Sequence, residues 1–395
     1  MSDAVHDPAE PAAKIGDLAA SAGVRRIHVL AWRDLDDVEA GGSELHIAEV
    51  AKRWAAAGLE VTMRTSWAQG QPTEAVRDGY RVIRRAGRYT VFPRAAAAEA
   101  ARRTGPSDVT IEIWNGMPFL SPVWRRGPRV IFLHHVHAEM WDMALGRALG
   151  QLGQLFERRI APPLYRREAI VTLSESSKRE LVDDLGFDPG RITVVPPGID
   201  PMFSPGGRRS EQPLAVAVGR LAPVKRYDAL IRAAARARAE VPGLRLHIVG
   251  EGYERPDLEA VIASLDAGDW VTLRGRISDD ELVDLYRRAW IITSASAREG
   301  WGMTLTEAAA CGTPAVATRI AGHEDAVADG VTGVLVDGGE AELAAAMARV
   351  LGDAAERARL GAGALERART FTWRATATDL MRVIADEVSR RRARR

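Results

Sequence analysis

The chain has 395 residues, 46% hydrophobic and 27% charged, an ordinary globular composition on a length that exceeds what one hydrophobic core usually covers, so two domains are expected. The net charge of +1 gives no whole-molecule reason to expect a nucleic-acid partner. Cys311 is the only cysteine, which excludes a disulfide within the chain and favours a reducing, cytoplasmic compartment, and no apolar run approaches the roughly 18 residues of a membrane span.

The predicted elements follow a loose, alanine-rich N-terminal tail of residues 1–22. Beyond it, short apolar runs typical of buried parallel strands alternate with helical segments, and this series occurs twice. The strands predicted in the first series are 26–32, 59–65, 109–113, 130–134, 169–173 and 192–195. Those predicted in the second series are 214–219, 244–249, 270–273, 290–293, 314–317 and 333–336. We therefore expect an α/β protein with two Rossmann-like, doubly wound domains that face one another across a cleft.

A segment rich in Pro, Gly and charge between residues 200 and 213 is the best linker. We place the N-terminal domain at residues 23–207 and the C-terminal domain at residues 208–370. Residues 371–395 have a helical pattern and end in an arginine-rich run. This run is interpreted as a solvated helix end rather than as a membrane or nucleic-acid contact.

A glycine turn follows the first predicted strand and precedes a predicted helix at residues 46–57. Its residues Gly41, Gly42 and Ser43 suit a phosphate, an oxyanion or a sugar hydroxyl that approaches the helix N-terminus, and the alternative is a flexible loop. Four carboxylates crowd the same loop: Asp34, Asp36, Asp37 and Glu39. A metal site is conceivable there, but solvated loop charge is the preferred interpretation because no matching cluster is close in sequence.

Three histidines, His134, His135 and His137, lie at the end of the predicted strand 130–134. Their spacing argues against zinc, because it lacks a helical i,i+4 pair and a nearby cysteine. His134 is interpreted as a cleft-facing group that hydrogen-bonds or handles a proton for a sugar hydroxyl, with a core or loop histidine as the alternative. Trp114 and other tryptophans near strand ends predict either an acceptor platform or aromatic core packing.

The loop after the first strand of the second series carries Gly219, Arg220 and Lys225. Such loops bind ligands in doubly wound sheets, and the two cations are placed to clamp a diphosphate, with an ordinary surface charge as the alternative. Only four of the 54 basic residues are lysines, so the use of Lys225 here indicates a compact charge beside a phosphate. Gly250 follows the next strand and resembles half of a phosphate loop, or a simple tight turn.

The segment Glu299-Gly300-Trp301-Gly302-Met303-Thr304-Leu305-Thr306-Glu307 places two carboxylates eight positions apart, around a glycine-bracketed turn that leads into a helix. The glycines allow close backbone approach, and the first amide groups of the helix have no partner inside it. Strand, turn and helix form the local layout of an α/β binding crevice. The segment therefore predicts a site for a sugar and its nucleotide.

These motifs resemble the retaining glycosyltransferases of family 4, nucleotide-sugar-dependent enzymes with the GT-B fold. The resemblance covers nearly the whole chain from Gly41-Gly42 onward. Its marks are the E-x7-E motif at 299–307, the segment 219–225, Val195-Pro196-Pro197-Gly198-Ile199-Asp200 and Glu307-Ala308-Ala309-Ala310-Cys311-Gly312-Thr313-Pro314. It implies an N-terminal acceptor-binding domain, a C-terminal nucleotide-sugar-binding domain and a C-terminal helix that returns to the N-terminal domain.

The resemblance also implies residue roles. Glu299 would contact donor-sugar hydroxyls, Glu307 the ribose, and Arg220 with Lys225 the diphosphate. The family's histidine best matches His134, because Glu139 and Trp141 then fall where related sequences keep a Glu and a Trp. The predicted catalytic residues are His134, Glu299, Arg220 and Lys225. The predicted donor-binding residues are Gly42, Gly219, Arg220, Lys225, Gly250, Arg276, Ile277, Glu299, Gly300, Trp301, Gly302, Met303, Thr304, Leu305 and Glu307. The predicted acceptor-binding residues are Gly41, Ser43, Trp114, His135 and His137.

The implied activity is transfer of a hexose from a nucleoside-diphosphate sugar to an acceptor hydroxyl, with retention of anomeric configuration and without a metal or other cofactor. Alternatives are an isomerase of the nucleotide-sugar epimerase kind and a non-catalytic nucleotide-sugar-binding protein. The acceptor is a sugar, a lipid or a natural product, and the donor base stays open. A peripheral contact with the inner face of the membrane through basic patches such as the segment 81–88 or Arg125-Arg126 competes with the preferred interpretation of a solvated surface.

Overall fold

The computed structural model describes residues 9–134, 136–137, 141 and 147–394, and the chain divides into two compact units. The first unit contains the residues up to Leu173, Ser177–Gly198 and the residues from Trp373 onward. The second unit contains Ser174–Ser176 and Ile199–Thr372. Each unit is built on one sheet.

The first unit has an eight-stranded sheet in the order β3-β4-β2-β1-β5-β6-β7-β8. Its strands are β1 (Arg26–Leu30), β2 (Glu60–Thr65), β3 (Glu74–Arg77), β4 (Tyr80–Arg84), β5 (Val109–Trp114), β6 (Arg129–Leu133), β7 (Ala169–Thr172) and β8 (Ile192–Val194). All neighbours are parallel except β3 and β4. Central β1 pairs Ile27 with Val61 on one side and Val109 on the other. Six of the strands are those predicted from the apolar runs.

The antiparallel hairpin of β3 and β4 was not predicted. Its turn is Asp78-Gly79, with φ of 45° and 85°, the left-handed pair that a tight hairpin requires. Only β4 is buried, while β3 alternates between exposed and half-buried residues. An edge strand of this kind lacks the continuous apolar run that reveals the other strands.

The second unit has a six-stranded sheet in the order β11-β10-β9-β12-β13-β14, and all its neighbours are parallel. Its strands are β9 (Leu214–Val218), β10 (Arg245–Val249), β11 (Val271–Gly275), β12 (Ile291–Ser294), β13 (Ala315–Thr318) and β14 (Gly333–Val336). All six were predicted. The strand order reverses between β9 and β12 here, and between β1 and β5 in the first unit. Ligand sites of doubly wound sheets lie at such reversals, beyond the carboxyl ends of the strands.

Helices cover both sheets. Those that precede β9 are α1 (Ala9–Ser21), α2 (Gly42–Ala56), α3 (Val91–Ala100), α4 (Ser121–Trp124), α5 (Arg147–Leu155), a π-helix (Phe156–Ile160), α6 (Pro162–Tyr165) and α7 (Glu175–Asp183). Those that follow are α8 (Tyr227–Glu240), α9 (Arg255–Ser264), α10 (Asp279–Arg288), α11 (Met303–Ala310), α12 (His323–Ala326), α13 (Glu340–Gly352), α14 (Ala354–Ala368) and α15 (Trp373–Arg392). Short 3₁₀ turns occupy Pro189–Arg191 and Pro223–Lys225. None of the helices in the described part of the chain has the length and apolarity that a membrane crossing needs.

The boundary between the units lies at Gly198 and Ile199, not at the predicted residues 207 and 208. Ile199 pairs by a β-bridge with Thr372 and lies in an apolar cluster of the second unit with Phe203 and Phe371. The Pro- and Gly-rich stretch is therefore part of the second unit. Helix α15 then begins at Trp373 and packs on α1 and α2 of the first unit.

The N-terminal segment is not the loose tail that its composition predicted. Residues Ala9–Ser21 form α1, and Ile15 and Ala19 are only 2% and 1% exposed. Their four-residue spacing places them on one helical face, which joins the core cluster of the first unit together with Ile384 and Val388 of α15. Packing against α15, which is distant in sequence, therefore stabilises α1, and the alanine-rich composition alone does not predict this helix.

We predict that Ile15→Ala lowers the free energy of unfolding of the first unit by about 2–5 kcal/mol, because it leaves a cavity between α1 and α15. Lys14→Ala is the control, since Lys14 is exposed on the same helix. The measurement is urea unfolding followed by circular dichroism. Equal midpoints for the two variants would contradict the packing of α1.

Candidate functional site

Two backbone segments meet without intervening side chains at the carboxyl ends of β9 and β10. Gly219 and Gly250 have φ of 154° and 136°, and a Cβ added at Gly250 would lie 2.0 Å from the Gly219 carbonyl oxygen. A Cβ added at Gly252 would lie 2.1 Å from the Leu221 carbonyl oxygen. The two loops are also joined by the hydrogen bond from Leu221 N to Glu251 O, 3.0 Å. The contact between the two backbones leaves no room for a Cβ at position 250, so a glycine is required there.

Lys225 and Glu299 form an ion pair beside this contact. The Lys225 ammonium donates to Glu299 Oε1, and Ser296 Oγ donates to the same oxygen at 2.9 Å. A backbone hydrogen bond of 2.8 Å from Ala297 N to Val224 O holds the two loops together. The Lys225 and Glu299 side chains are 22% and 19% exposed, so both reach the surface of the unit.

The charge state of Glu299 is set by two opposing effects. Burial acts to raise the pKa of Glu299, but the Lys225 ammonium, His323 and the hydrogen bonds from Lys225 and Ser296 outweigh it, so the pKa lies below its usual value. Glu299 is therefore an anion at neutral pH. An ionised, partly exposed carboxylate accepts hydrogen bonds from hydroxyl groups.

Helix α11 begins at this ion pair. Its preceding residue Gly302 has φ of 100°, and a Cβ there would lie 3.0 Å from His323 Cδ2. Gly322, with φ of 85°, lies under the turn, where a Cβ would be 2.7 Å from Glu299 O and Trp301 N. The turn can therefore be formed only by these glycines. It directs the first amide groups of α11, at Met303 and Thr304, away from the helix, where they are able to bind an anion.

His323 and Tyr286 are site residues that the sequence analysis missed. His323 is 1% exposed, its Nδ1 lies 2.8 Å from Thr318 O, and burial lowers its pKa. Tyr286 of α10 donates a 3.1 Å hydrogen bond from its hydroxyl to Glu307 Oε2. Both are distant in sequence from the E-x7-E segment, and the only signal was that His323 follows a glycine after β13.

Glu307, on α11, is a half-buried carboxylate with an unusual pKa. Burial raises the pKa of Glu307 to about 7, and the charges of Asp279 and Asp200 add to this increase, while the Tyr286 hydrogen bond opposes it. The group therefore titrates near neutral pH. A ligand that donates a hydrogen bond to the ionised Glu307 would lower this pKa.

Some predicted donor-binding side chains lie in the core. Trp301 is 4% exposed and packs edge-to-face on Phe371, with ring centroids 5.2 Å apart, and Leu305 is 2% exposed. Their side chains hold the turn in place, and only their backbone lies at the site. Arg220, after β9, and Arg276, after β11, are exposed, and Ile277 is half-buried.

In the first unit, the turn before α2 is arranged around Glu44. This carboxylate is 6% exposed and accepts hydrogen bonds of 2.9 Å from Gly41 N and Ser43 Oγ. Asn115, at the end of β5, donates to Ser43 Oγ at 3.0 Å. Gly41 is extended, and a Cβ there would meet nothing closer than 3.8 Å, so contacts within the unit do not require this glycine. Gly42 is the first residue of α2.

His134, which was expected to face the cleft at the strand end, is buried within the first unit. It is 4% exposed, and its Nε2 lies 3.1 Å from Nδ1 of His46, which is fully buried and stacks on Trp373 of α15. Burial lowers the pKa of His46 to about 4, so His46 is neutral at physiological pH. The sequence analysis missed His46 because the spacing of residues 46 and 134 carries no local signal. The role of His134 in catalysis stays a prediction.

His137 and Trp141 are held by a buried glutamate on the π-helix. Glu157 accepts from His137 N at 2.9 Å and from Trp141 Nε1 at 3.1 Å, and its side chain is fully buried. The predicted residues His135 and Glu139 lie outside the described residues. Glu157 therefore positions His137 and Trp141 in the segment that follows β6.

Trp114 does not form an acceptor platform. It is fully buried, donates to Gly116 O at 2.9 Å and packs on Tyr165 with ring centroids 4.8 Å apart. The alternative of core packing is therefore the correct one. The Trp114 indole lies within a buried cluster and is therefore not accessible to a ligand.

The acidic loop after β1 is an ion-pair network, which corrects the expectation of solvated charge. Asp34 is fully buried and contacts Arg77 and Arg84, and Asp36 contacts the same two guanidinium groups. Burial acts to raise the pKa of Asp34, but the hydrogen bonds from the Arg77 side chain and the Asp36 amide, with the charges of Arg77 and Arg84, outweigh it and lower the pKa. Among the residues that the structure describes, no group of three His, Cys, Asp or Glu side chains is arranged to hold a metal ion.

Comparison with known proteins agrees with this geometry. The model for glycosyl transferases group 1 matches residues 199–367, and the model for Glycosyltransferase Family 4 matches residues 40–203. A D-inositol 3-phosphate glycosyltransferase of Acidothermus cellulolyticus is 33% identical over 394 residues, covering 90% of this chain and 87% of that protein. The chain belongs to glycosyltransferase family 4. A protein of the same name from Stackebrandtia nassauensis is 40% identical over 244 residues, and that match spans only 55% of its length.

Solved structures show that this family 4 glycosyltransferase has the GT-B fold. Sucrose-phosphate synthase from Thermosynechococcus elongatus superposes with a TM-score of 0.77 at 22% identity, covering 90% of this chain and 97% of that chain. HepE from Anabaena, solved in complex with UDP and glucose, gives a TM-score of 0.72 at 18% identity, covering 90% and 98%. The expectation of two Rossmann-like sheets and a C-terminal helix is confirmed.

We predict that Glu307→Gln changes the pH dependence of stability. Because the folded-state pKa is raised to about 7, the contribution of Glu307 to stability is fully present below pH of about 4.5 and is lost as the pH rises through 7. The free energy of unfolding of Glu307→Gln relative to the wild type should therefore rise by about 1–3 kcal/mol between pH 5 and pH 8. Urea titrations at several pH values measure it. Glu240→Gln, at an exposed position of α8, is the control, and parallel curves for all three proteins would refute the shifted pKa.

Proposed function

We propose that this glycosyltransferase moves a hexosyl group from a nucleoside-diphosphate sugar to an acceptor hydroxyl, with retention of configuration and without a metal ion. The observation that carries the proposal is the Lys225–Glu299 ion pair at the N-terminus of α11. In this proposal the cation binds the diphosphate and the anion accepts from sugar hydroxyls, and the two lie side by side at the strand-order reversal of the second unit. HepE was solved with UDP and UDP-glucose, which makes uridine nucleotides the first donors to test.

The cation and the helix amides are suited to the leaving group. Lys225 has three N–H donors, and its bond to Glu299 leaves others for phosphate oxygens. The free amides at Met303 and Thr304 add fixed dipoles that favour negative charge, and the exposed Arg220 supplies a second cation. Groups fixed before the reaction stabilise the developing diphosphate without reorganisation, which is the basis of metal independence in this proposal.

Glu299 and Glu307 have different roles in the proposal. Glu299 is ionised and accepts from donor-sugar hydroxyls, while its bond to Lys225 makes it a poor nucleophile. Glu307 accepts from the ribose hydroxyls. A ribose hydroxyl donates to the ionised form, so donor binding should lower the pKa of Glu307 from about 7 and release a proton.

The proposed chemical step does not use Glu299 as a nucleophile, because Lys225 engages this carboxylate. We propose that the acceptor oxygen bonds to the anomeric carbon on the face from which the diphosphate leaves. The bond from the anomeric carbon to the phosphate oxygen breaks, and the acceptor hydroxyl proton passes to that oxygen. The product keeps the donor's anomeric configuration. NMR of the product tests this step, and an inverted configuration would disprove it.

For the acceptor, we propose a polyol phosphate of the kind named for the relatives, D-inositol 3-phosphate. The support in the first unit is the space before α2, where a Cβ at Gly41 would meet nothing closer than 3.8 Å and where Ser43 and Asn115 lie at the strand-order reversal. A helix N-terminus favours a phosphate, and the two polar side chains favour hydroxyl groups.

We predict that Lys225→Met lowers kcat by about 10²–10³-fold, because it removes a fixed charge that stabilises the leaving diphosphate. Lys52→Met is the matched control, since Lys52 is exposed on α2 and should leave the rate unchanged. Initial rates with and without a chelator give the comparison, and thermal shifts with UDP, GDP and ADP identify the base. A rate that is lost with chelator would contradict metal independence.

We predict that D-inositol 3-phosphate is glycosylated with a kcat/KM at least about 10²-fold above that of inositol, because the site loses about 3 kcal/mol when a bound phosphate group is absent. Asn115→Ala should raise KM for this acceptor, whereas hydrolysis of the donor in its absence should be unchanged. Product formation is followed by mass spectrometry. Equal rates for the two polyols would reject the phosphate-bearing acceptor, and turnover of the donor to a different free nucleotide sugar would favour the isomerase alternative.

A further inference from the structure

A cavity of about 620 Å³ lies in the first unit, at the amino ends of β5 and β6. This is the edge of the sheet opposite to Gly41 and Asn115, so the cavity is separate from the site proposed for the acceptor. Its volume is in the range of small-molecule sites. The charged residues that line it are Glu99, Arg102, Asp108, Arg125, Arg126, Arg391 and Arg392.

Of the two carboxylates of the lining, Asp108 is engaged and Glu99 is engaged through one oxygen. Asp108 accepts from the backbone amides of Arg25 and Arg26 at 2.9 and 2.8 Å. Glu99 Oε2 lies 2.8 Å from His28 Nδ1, and Glu99 Oε1 has no hydrogen-bond partner among the described residues. By contrast, no carboxylate oxygen of the described residues lies within 4 Å of Arg102, Arg125 or Arg126. The cavity therefore carries an excess of positive charge.

Arg125 is the most exceptional of these cations, because it is half-buried. Its Nη2 donates to Ser107 O at 3.1 Å, but its Nε is buried and has no hydrogen-bond partner in the part of the chain that the structure describes. Burial lowers the pKa of Arg125, and the nearby charges of Arg129 and Arg102 lower it further, against an opposing effect of Glu99. Leaving a guanidinium in this state costs free energy that an anion would recover.

Gly127 shows that the position of Arg125 is built into the chain. A Cβ added at Gly127 would lie 3.0 Å from Arg125 Nη2 and 3.1 Å from Nε. The absence of a side chain at Gly127 thus leaves room for the Arg125 guanidinium to pack against the backbone of the same loop, beside the cavity. Arg102 adds a cation from the end of α3, at a φ of 55°.

We propose that this cavity binds the phosphate group of a small phosphorylated molecule, either a free metabolite or a lipid headgroup. A planar guanidinium binds phosphate oxygens in pairs, and several arginines around one cavity match a dianion better than they match a neutral ligand. The proposed donor and acceptor sites use none of these residues. The ligand is therefore additional to the substrates of the transfer reaction.

The test is calorimetric titration of the full chain with inorganic phosphate at constant ionic strength. Binding should weaken by about tenfold or more in Arg125→Gln and measurably in Arg102→Gln, because each variant removes a charged hydrogen-bond donor. Arg166→Gln is the control, since Arg166 is exposed in the first unit. Lys225→Met should also leave this binding unchanged, which separates the cavity from the donor site. Arg102→Gln, at an exposed position, guards against a folding defect in Arg125→Gln.

A second arm distinguishes the two sources of phosphate. Cosedimentation compares phosphatidylcholine vesicles with vesicles that also contain phosphatidic acid. Vesicle binding that needs phosphatidic acid and is lost in Arg125→Gln and Arg102→Gln assigns the cavity to a lipid headgroup. Binding of inorganic phosphate with no binding to the phosphatidic acid vesicles assigns the cavity to a free metabolite. Binding that is the same in wild type and both variants, or absent in both assays, overturns the proposal.

Discussion

The geometry of the proposed donor site depends on one constraint, the direct contact of backbone segments beyond the carboxyl ends of β9 and β10. A Cβ at Gly250 would overlap the Gly219 carbonyl, and a Cβ at Gly322 would overlap the turn at Glu299. Because these loops meet without side chains, Lys225 and Glu299 lie close enough to form an ion pair. The same contacts direct the start of α11 toward that pair, so cation, anion and helix amides are fixed by packing before any ligand arrives.

Much of this was accessible from the sequence, for a physical reason. Parallel strands that are covered on both faces need continuous apolar runs, and in both sheets such runs marked the central strands, β1 and β9 among them. The E-x7-E segment was equally informative, because a strand, a glycine turn and a helix are consecutive in the chain. The order of these elements along the chain therefore predicts the proposed donor site, with Glu299 in the turn and Glu307 about one turn into α11.

The rest depends on contacts between residues that are distant in sequence. His46 and His134 are 88 positions apart, and nothing local links them. Trp114 lies at a strand end like a platform residue, yet a cluster with Tyr165 buries it completely. Helix α1 has alanine-rich, weakly patterned sequence, and α15 from the other end of the chain supplies its partner face. In each case tertiary packing decided between alternatives that composition left open.

The charged groups of the chain differ in how completely they are paired, and this difference separates structural from binding roles. Asp34, Arg77 and Arg84 form an ion-pair network in which the buried carboxylate contacts two cations. Lys225 has one partner and further donors at the surface. Arg125 is half-buried with a donor that has no partner among the described residues. An incompletely paired, partly buried cation costs free energy in the unliganded protein, and an anionic ligand removes that cost. By this argument the first unit holds an anion site at the edge of its sheet opposite to Gly41, independent of the residues that would carry out transfer.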